Sequence, residues 1–300
     1  MTKVSVSVPA VCTNLGSGYH VLGLALNLRT VVEMSLTGGD ELRIASAGEG
    51  ADTLPANFYH PVAVAATRLF QEVEEAPAGL SIVCNNRIPL WVGLSSRAAM
   101  TVAGLVGANN LLGGPLPREA LVELAARLSD HPEATATALN GGLGIWARGG
   151  DSPVYRSLEV APLRVVVAVP LLDDYDPHRE PLPDPGLDDA VHAIAHTALL
   201  VEALQTEDLD LLREALDDRL HVPYRRALIP GYDRVEAAAK RLGAIGVTPC
   251  GAGPALLIFA DYGHAEIARA VQLAFRQASV PARTWTLGVD MQGVVISVVQ

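Results

Sequence analysis

Residues 88–99 read IPLWVGLSSRAA and run straight into MTVAGLVGANNLL, residues 100–112. Strong helix formers at helical spacing predict a helix from about Arg97 onward. The loop before it carries Gly93, Ser95 and Ser96. A loop of this kind lets backbone N–H groups at a helix N-terminus approach an anion such as phosphate. One such loop arises often by chance, so the flanking segments decide its meaning.

Upstream, LSIVC at 80–84 reads as a strand, and Val62, Ala65, Ala66, Leu69 and Phe70 predict a helix within 57–75. KVSVSV at 3–8 alternates as a half-buried strand does, and residues 20–36 continue that pattern. Downstream, residues 117–128 form an amphipathic pattern with Pro117 suited to a first turn. GGDSP, after Arg148, is a turn cluster and a boundary candidate. LRVVVAV at 163–169 is a continuous apolar run, as for a buried strand. Helices predicted at 187–217, 231–242 and 264–277 then mix with strands at 255–260 and 294–299. The order is that of an α+β protein with two lobes, 1–155 and 156–300.

The bulk numbers narrow the function. With 300 residues, half of them hydrophobic and 18% charged, the chain can bury a large core. A net charge of −11 and no Lys/Arg run argue against nucleic-acid or anionic-membrane partners. No apolar run is long enough to span a bilayer, and MTKVSVSVPA lacks the core of a signal peptide. Cys12, Cys84 and Cys250 lie far apart and form no CxxC pair, so no disulfide framework is expected. A cytoplasmic enzyme or binding protein is the expectation.

Four segments then stand in order: PAVCTNLGSGYHVLGLALNL from Pro9, IPLWVGLSSRAA from Ile88, DHPEATATALNGG from Asp130, and DRLHVPYRRALIPG from Asp218 running on to GVTPCGAGPALLIFA from Gly246. Together they resemble the homoserine kinase family of the GHMP kinase superfamily, over essentially the whole chain. The resemblance implies a ribosomal-S5-like N-terminal lobe, a ferredoxin-like C-terminal lobe and a ligand site between them. It implies ATP and Mg²⁺ as cofactors, a small carboxylate as substrate and a possible homodimer. Gly93, Ser95, Ser96, Gly251 and Gly253 would shape the phosphate pocket. Asn14, Arg179 and Arg225 would hold the substrate, the arginines because their planar forks make bidentate bonds to carboxylate.

The sequence also departs from the family pattern P-x-x-x-G-L-G-S-S-A-A. Ser95 stands at the second glycine and Arg97 at the second serine. That serine and a glutamate would hold Mg²⁺, and Ser129, followed by Asp130, stands at the glutamate. Arg97 cannot ligate a metal, but its charge can stand in for one; pairing with Asp130 or Glu133 is the other reading. Glu133-Ala134 replaces an Asp-Asn pair, His20 replaces an aspartate near the substrate amine or hydroxyl, and Tyr175 replaces a threonine. Cys12 and Cys250 fall at pocket positions, either as small buried fillers or as nucleophiles beside His20 or His131. Two functions follow. One is ATP-dependent phosphorylation of a hydroxyl on homoserine or a related acid, with His20, Arg97 and Asp130 as catalytic candidates. The other is a repurposed fold that needs no cofactor and acts on a small carboxylate through His20, Cys12 or Tyr19. An open groove between Gly93 and residues 251–253 favours the first; Trp91 or Arg97 filling it opposes it.

Overall fold

Strand β1 (Lys3–Thr13) buries Val4, Val6 and Val8 on one face, as its alternation requires. It is the second strand of a seven-stranded sheet in the computed structural model, which describes residues 3–149, 153–177, 179 and 181–299. The order is β11 (Val295–Val299), β1, β2 (Leu22–Thr37), β4 (Gly79–Asn86), β3 (Leu42–Gly48). The far end of β2 pairs with β5 (Leu143–Ala147), which pairs with β6 (Val154–Leu158). All pairings are antiparallel except β3 with β4. Helices α1 (Pro61–Glu72), α2 (Ser96–Leu111), α3 (Arg118–Arg127) and α4 (Pro132–Asn140) pack with this sheet. α2 is buried along nearly its whole length, which its Ala- and Gly-rich surface permits.

The second sheet is four antiparallel strands in the order β10 (Ala282–Gly288), β7 (Arg164–Pro170), β9 (Leu256–Phe259), β8 (Gly246–Pro249). The apolar run in β7 is explained by burial on both faces. Val166 and Ala168 pack with α8 (Tyr232–Arg241) and α9 (His264–Gln277), while Val165, Val167 and Val169 enter the core of the first sheet. One face of the second sheet therefore joins the core of the first, and its other face forms a second core with α8 and α9. The sequence division at 155 differs from the division between sheets: β6 straddles it and β11 returns to the first sheet. Within the GGDSP turn cluster, residues 150–152 lie outside the described residues.

The helix expected over 187–217 is two, α5 (Leu187–Thr206) and α6 (Leu209–Ala215). Glu207 turns left-handed, with φ at 60°, and the Asp208 carboxylate accepts the Leu211 N–H at 2.9 Å, capping α6. The short α7 (Val222–Ala227) follows.

Two buried histidines make stability pH-dependent. His60 caps α1, its Nδ1 accepting the Val62 N–H at 3.2 Å. His221 donates from Nε2 to the Gly16 carbonyl at 3.0 Å, and its Nδ1 has no partner among the described residues. Burial lowers both pKa values below 6.5, and for His221 the nearby Asp218 carboxylate only partly offsets this. The unfolded chain then binds protons that the folded chain refuses. The stability these groups give is complete above pH 6.5 and is lost as pH falls below it. Urea unfolding should show a lower midpoint roughly one unit below pH 6.5 than one unit above it. His221→Asn should flatten that slope, and an already flat wild-type profile would contradict the assignment.

Candidate active site

Three loops are stitched together by backbone hydrogen bonds where the sheets meet. Val11 N–H reaches Leu94 O at 3.3 Å, Gly251 N–H reaches Thr13 O at 2.8 Å, and Ala255 N–H reaches Val92 O at 3.0 Å. Gly93, at φ +90°, lies against the Cys250 carbonyl, so close that a Cβ would sit 2.0 Å from its oxygen. Ser95 takes the left-handed conformation at φ 56° and ψ 35°, the geometry a glycine would adopt freely, and caps α2 without a side-chain hydrogen bond. The first bond of α2 is Ala99 N–H to Ser95 O at 3.0 Å. The N–H groups of Ser96, Arg97 and Ala98 precede it and cannot find partners within the helix. Behind them, buried Asn86 holds the Ser96 hydroxyl at 3.2 Å and also bonds Thr30 and Ile88. Asn86 carried no signal in the sequence, because its role depends on a strand and a helix brought together only by the fold.

These loops open into a cleft of about 690 Å³, lined by Gly93, Ser95, Ser96 and Arg97 on one side and by Gly251, Ala252 and Gly253 on the other. That volume suits a small-molecule ligand. Trp91, 77% exposed, and Arg97, also exposed, line the cleft without filling it. Arg97 makes no ion pair with Asp130 or Glu133; it faces a smaller hollow lined by Ser129, Asp130 and His131. Asp130 is exposed there.

His131 also lines the cleft. Its ring stacks on that of His20, with centroids 5.2 Å apart and planes 10° from parallel. Both face Glu133, whose Oε1 lies 3.2 Å from His131 Nδ1 and 3.8 Å from His20 Nδ1. Glu133 is buried, and its Oε2 has no hydrogen-bond partner among the described residues. The hydrogen bond to Glu133 raises the His131 pKa, whereas burial lowers that of His20. Asn14, left-handed and buried, accepts the His20 N–H at 2.9 Å and so fixes the turn carrying His20.

Tyr175 reaches the cleft, but its hydroxyl is committed to the Ala252 carbonyl. Burial pushes its pKa up to about 12, so it stays a neutral donor. Arg225 is buried and donates to the Pro177 carbonyl, anchoring the segment that carries Arg179. No carboxylate pairs with Arg225 among the described residues. Arg179 is exposed, pairs with Asp174 at 2.8 Å and lies outside the cleft lining. Arg225 thus holds the loop that carries Arg179.

The cysteine–histidine pairing does not form. Cys12 and Cys250 sulfurs lie 2.7 Å apart as buried free thiols. Burial, with Cys250 beside it, pushes the Cys12 thiol well above its ordinary range, which removes it as a nucleophile. Magnesium fares no better at the expected positions. It wants oxygen ligands in near-octahedral array. Arg97 offers a cation, the Ser129 hydroxyl is engaged by the His131 N–H at 3.0 Å, and Glu133 is grouped with two imidazoles. These residues do not fit a magnesium site of the family kind.

Comparison with known proteins sets this cleft in context. The family model for the GHMP kinases N terminal domain matches residues 60–142, and that for the GHMP kinases C terminal domain matches residues 200–277. The chain is 38% identical to the homoserine kinase of Moorella thermoacetica over 97% of its own length and 99% of the relative's. It is 40% identical to that of Symbiobacterium thermophilum, covering 97% and 93%. The crystal structure of homoserine kinase from Cytophaga hutchinsonii superposes with a TM-score of 0.88 at 27% identity, covering 98% of this chain and 97% of the other. The comparisons lend no support to a repurposed, cofactor-independent enzyme.

Proposed function

The chain belongs to the homoserine kinases of the GHMP kinase family and is an enzyme of the kinase type, and from that premise we propose that it transfers the γ-phosphoryl group of ATP to the hydroxyl of homoserine. The observation that carries this reading is the open cleft between the start of α2 and the 251–253 loop, with His131 also in its lining and with neither Trp91 nor Arg97 closing it.

The N–H groups of Ser96, Arg97 and Ala98 and the positive end of the α2 dipole bind phosphate oxygens. Gly93, Gly251 and Gly253 keep the cleft walls low there. ATP supplies the transferable phosphoryl group. The Arg97 guanidinium contributes a fixed positive charge beside it, where the residues present do not fit magnesium. Beside His131, Asn14 and His20 orient the acceptor, and Arg225 supplies a buried cation for its carboxylate. Nothing here acts as a strong base on the hydroxyl; positioning and charge neutralisation carry the reaction.

Calorimetric titration with a non-hydrolysable ATP analogue, with and without Mg²⁺, followed by homoserine-dependent ADP release, tests the proposal. Micromolar nucleotide binding and ADP formation that requires homoserine are expected. Because Arg97 replaces a ligand, removing Mg²⁺ should weaken binding less than Arg97→Ser does. An absence of binding at millimolar nucleotide would sink the reading.

A further inference from the structure

Glu133 is only 1% exposed, yet its Oε2 has no hydrogen-bond partner among the described residues and its Oε1 faces two imidazoles. A carboxylate taken out of water needs compensating charge. No lysine or arginine pairs with it among the described residues. His131 and His20, both about half exposed, are the groups that meet it.

The donor geometry points to more than a shared proton. One atom from each of His20, His131 and Glu133 can be chosen so that all three lie within 4.8 Å of one another. Ligand atoms around a tetrahedral zinc ion, at bond lengths near 2.0–2.1 Å, stand about 3.3 Å apart. The observed carboxylate–imidazole distances of 3.2 and 3.8 Å bracket that spacing. Two imidazole nitrogens and a carboxylate are a zinc donor set and a poor one for magnesium.

We infer that His20, His131 and Glu133 form a binding site for a first-row divalent ion of the Zn²⁺ class beside the cleft, where His131 lines it. Three protein ligands leave a coordination position for water or, on the reading given under the proposed function, for the acceptor's amino group. An ammonium that binds there gives its proton to solvent. The ion would thus take the place of the aspartate that the family pattern sets at His20, and it would recognise a neutral amine where a carboxylate recognises an ammonium.

Binding of the ion alone tests this, without nucleotide or acceptor, so its failure is distinct from a failure of phosphotransfer. Tag-free full-length chain is dialysed against micromolar Zn²⁺ and its metal content measured; a parallel Co²⁺ sample is read by visible d–d absorption. One ion per chain with a four-coordinate cobalt spectrum is expected. Affinity should fall at least about tenfold in His131→Ala and in Glu133→Gln. Because Glu133→Gln alters a buried site, the half-exposed His20→Ala carries the same test with circular dichroism as the folding control. His192→Ala, in the separate His192–His196–Asp217 group, should leave binding unchanged. No bound ion, binding that survives both His20→Ala and His131→Ala, or binding lost in His192→Ala would each overturn the inference.

Discussion

Gly93→Ala is expected to destabilise the protein by about 4 kcal/mol and to weaken nucleotide binding at least about a hundredfold. The added Cβ would meet the Cys250 carbonyl oxygen at 2.0 Å, its carbon at 2.9 Å and the Gly253 nitrogen at 3.2 Å. All three are backbone atoms, so no side chain can swing away. The residue also sits at φ +90°, which an L side chain resists. Relief requires the two loops to part, and that stretches the Ala255–Val92 and Gly251–Thr13 hydrogen bonds that shape the cleft. Ser95→Gly is the matched control. Ser95 already tolerates the left-handed region, so glycine there should change stability by less than about 1 kcal/mol. Urea unfolding and nucleotide titration read both variants. A Gly93→Ala protein with wild-type stability and affinity would show that the loops can separate freely.

Arg225→Ala is expected to raise KM for the amino-acid substrate more than a hundredfold, a loss of about 3 kcal/mol, with a smaller effect on KM for nucleotide. Arg225 is 6% exposed, donates to the Pro177 carbonyl and pairs with no carboxylate among the described residues. A buried cation in that state is suited to an anion brought by a ligand. Arg225→Lys should recover little, because an ammonium lacks the planar fork that can hold Pro177 and a carboxylate together. Steady-state kinetics with each substrate varied in turn distinguish this from general unfolding, which would lower activity without separating the two KM values. An unchanged KM for the amino acid would mean that Arg225 only anchors the 175–179 segment.

Much of this was legible before the fold. The long strand at the N-terminus, the loop running into α2 and the doubly buried β7 each declare themselves through period or composition. Other elements do not. β3 lies at a sheet edge and buries little, so its residues show weak contrast, and α4 is a short run of Ala and Thr whose amphipathic signal is slight. The Asp208 cap that splits 187–217 was readable in principle as Asp before an apolar run, but the continuous apolar spacing masked it. In the site, Gly93, Ser95, Ser96, Gly251 and Gly253 line one cleft. Glu133 stood in the sequence only as a departure from an Asp-Asn pair and a possible partner of Arg97; the fold instead sets it against His20 and His131. The Cys12–Cys250 contact spans 238 positions in sequence, beyond any local pattern.

The return of β11 to β1 has a consequence for how the chain is made. Residues 295–299 complete an edge of the sheet that residues 3–7 begin, in an antiparallel register from Lys3 with Val299 to Ser7 with Val295. During synthesis that edge of the first strand must therefore wait unpaired until residues 295–299 have been made and have cleared the ribosome. An exposed edge is the feature of a nascent protein most prone to mispairing. Loss of residues 295–299 would thus leave an early-made strand, rather than a late-made one, without its neighbour.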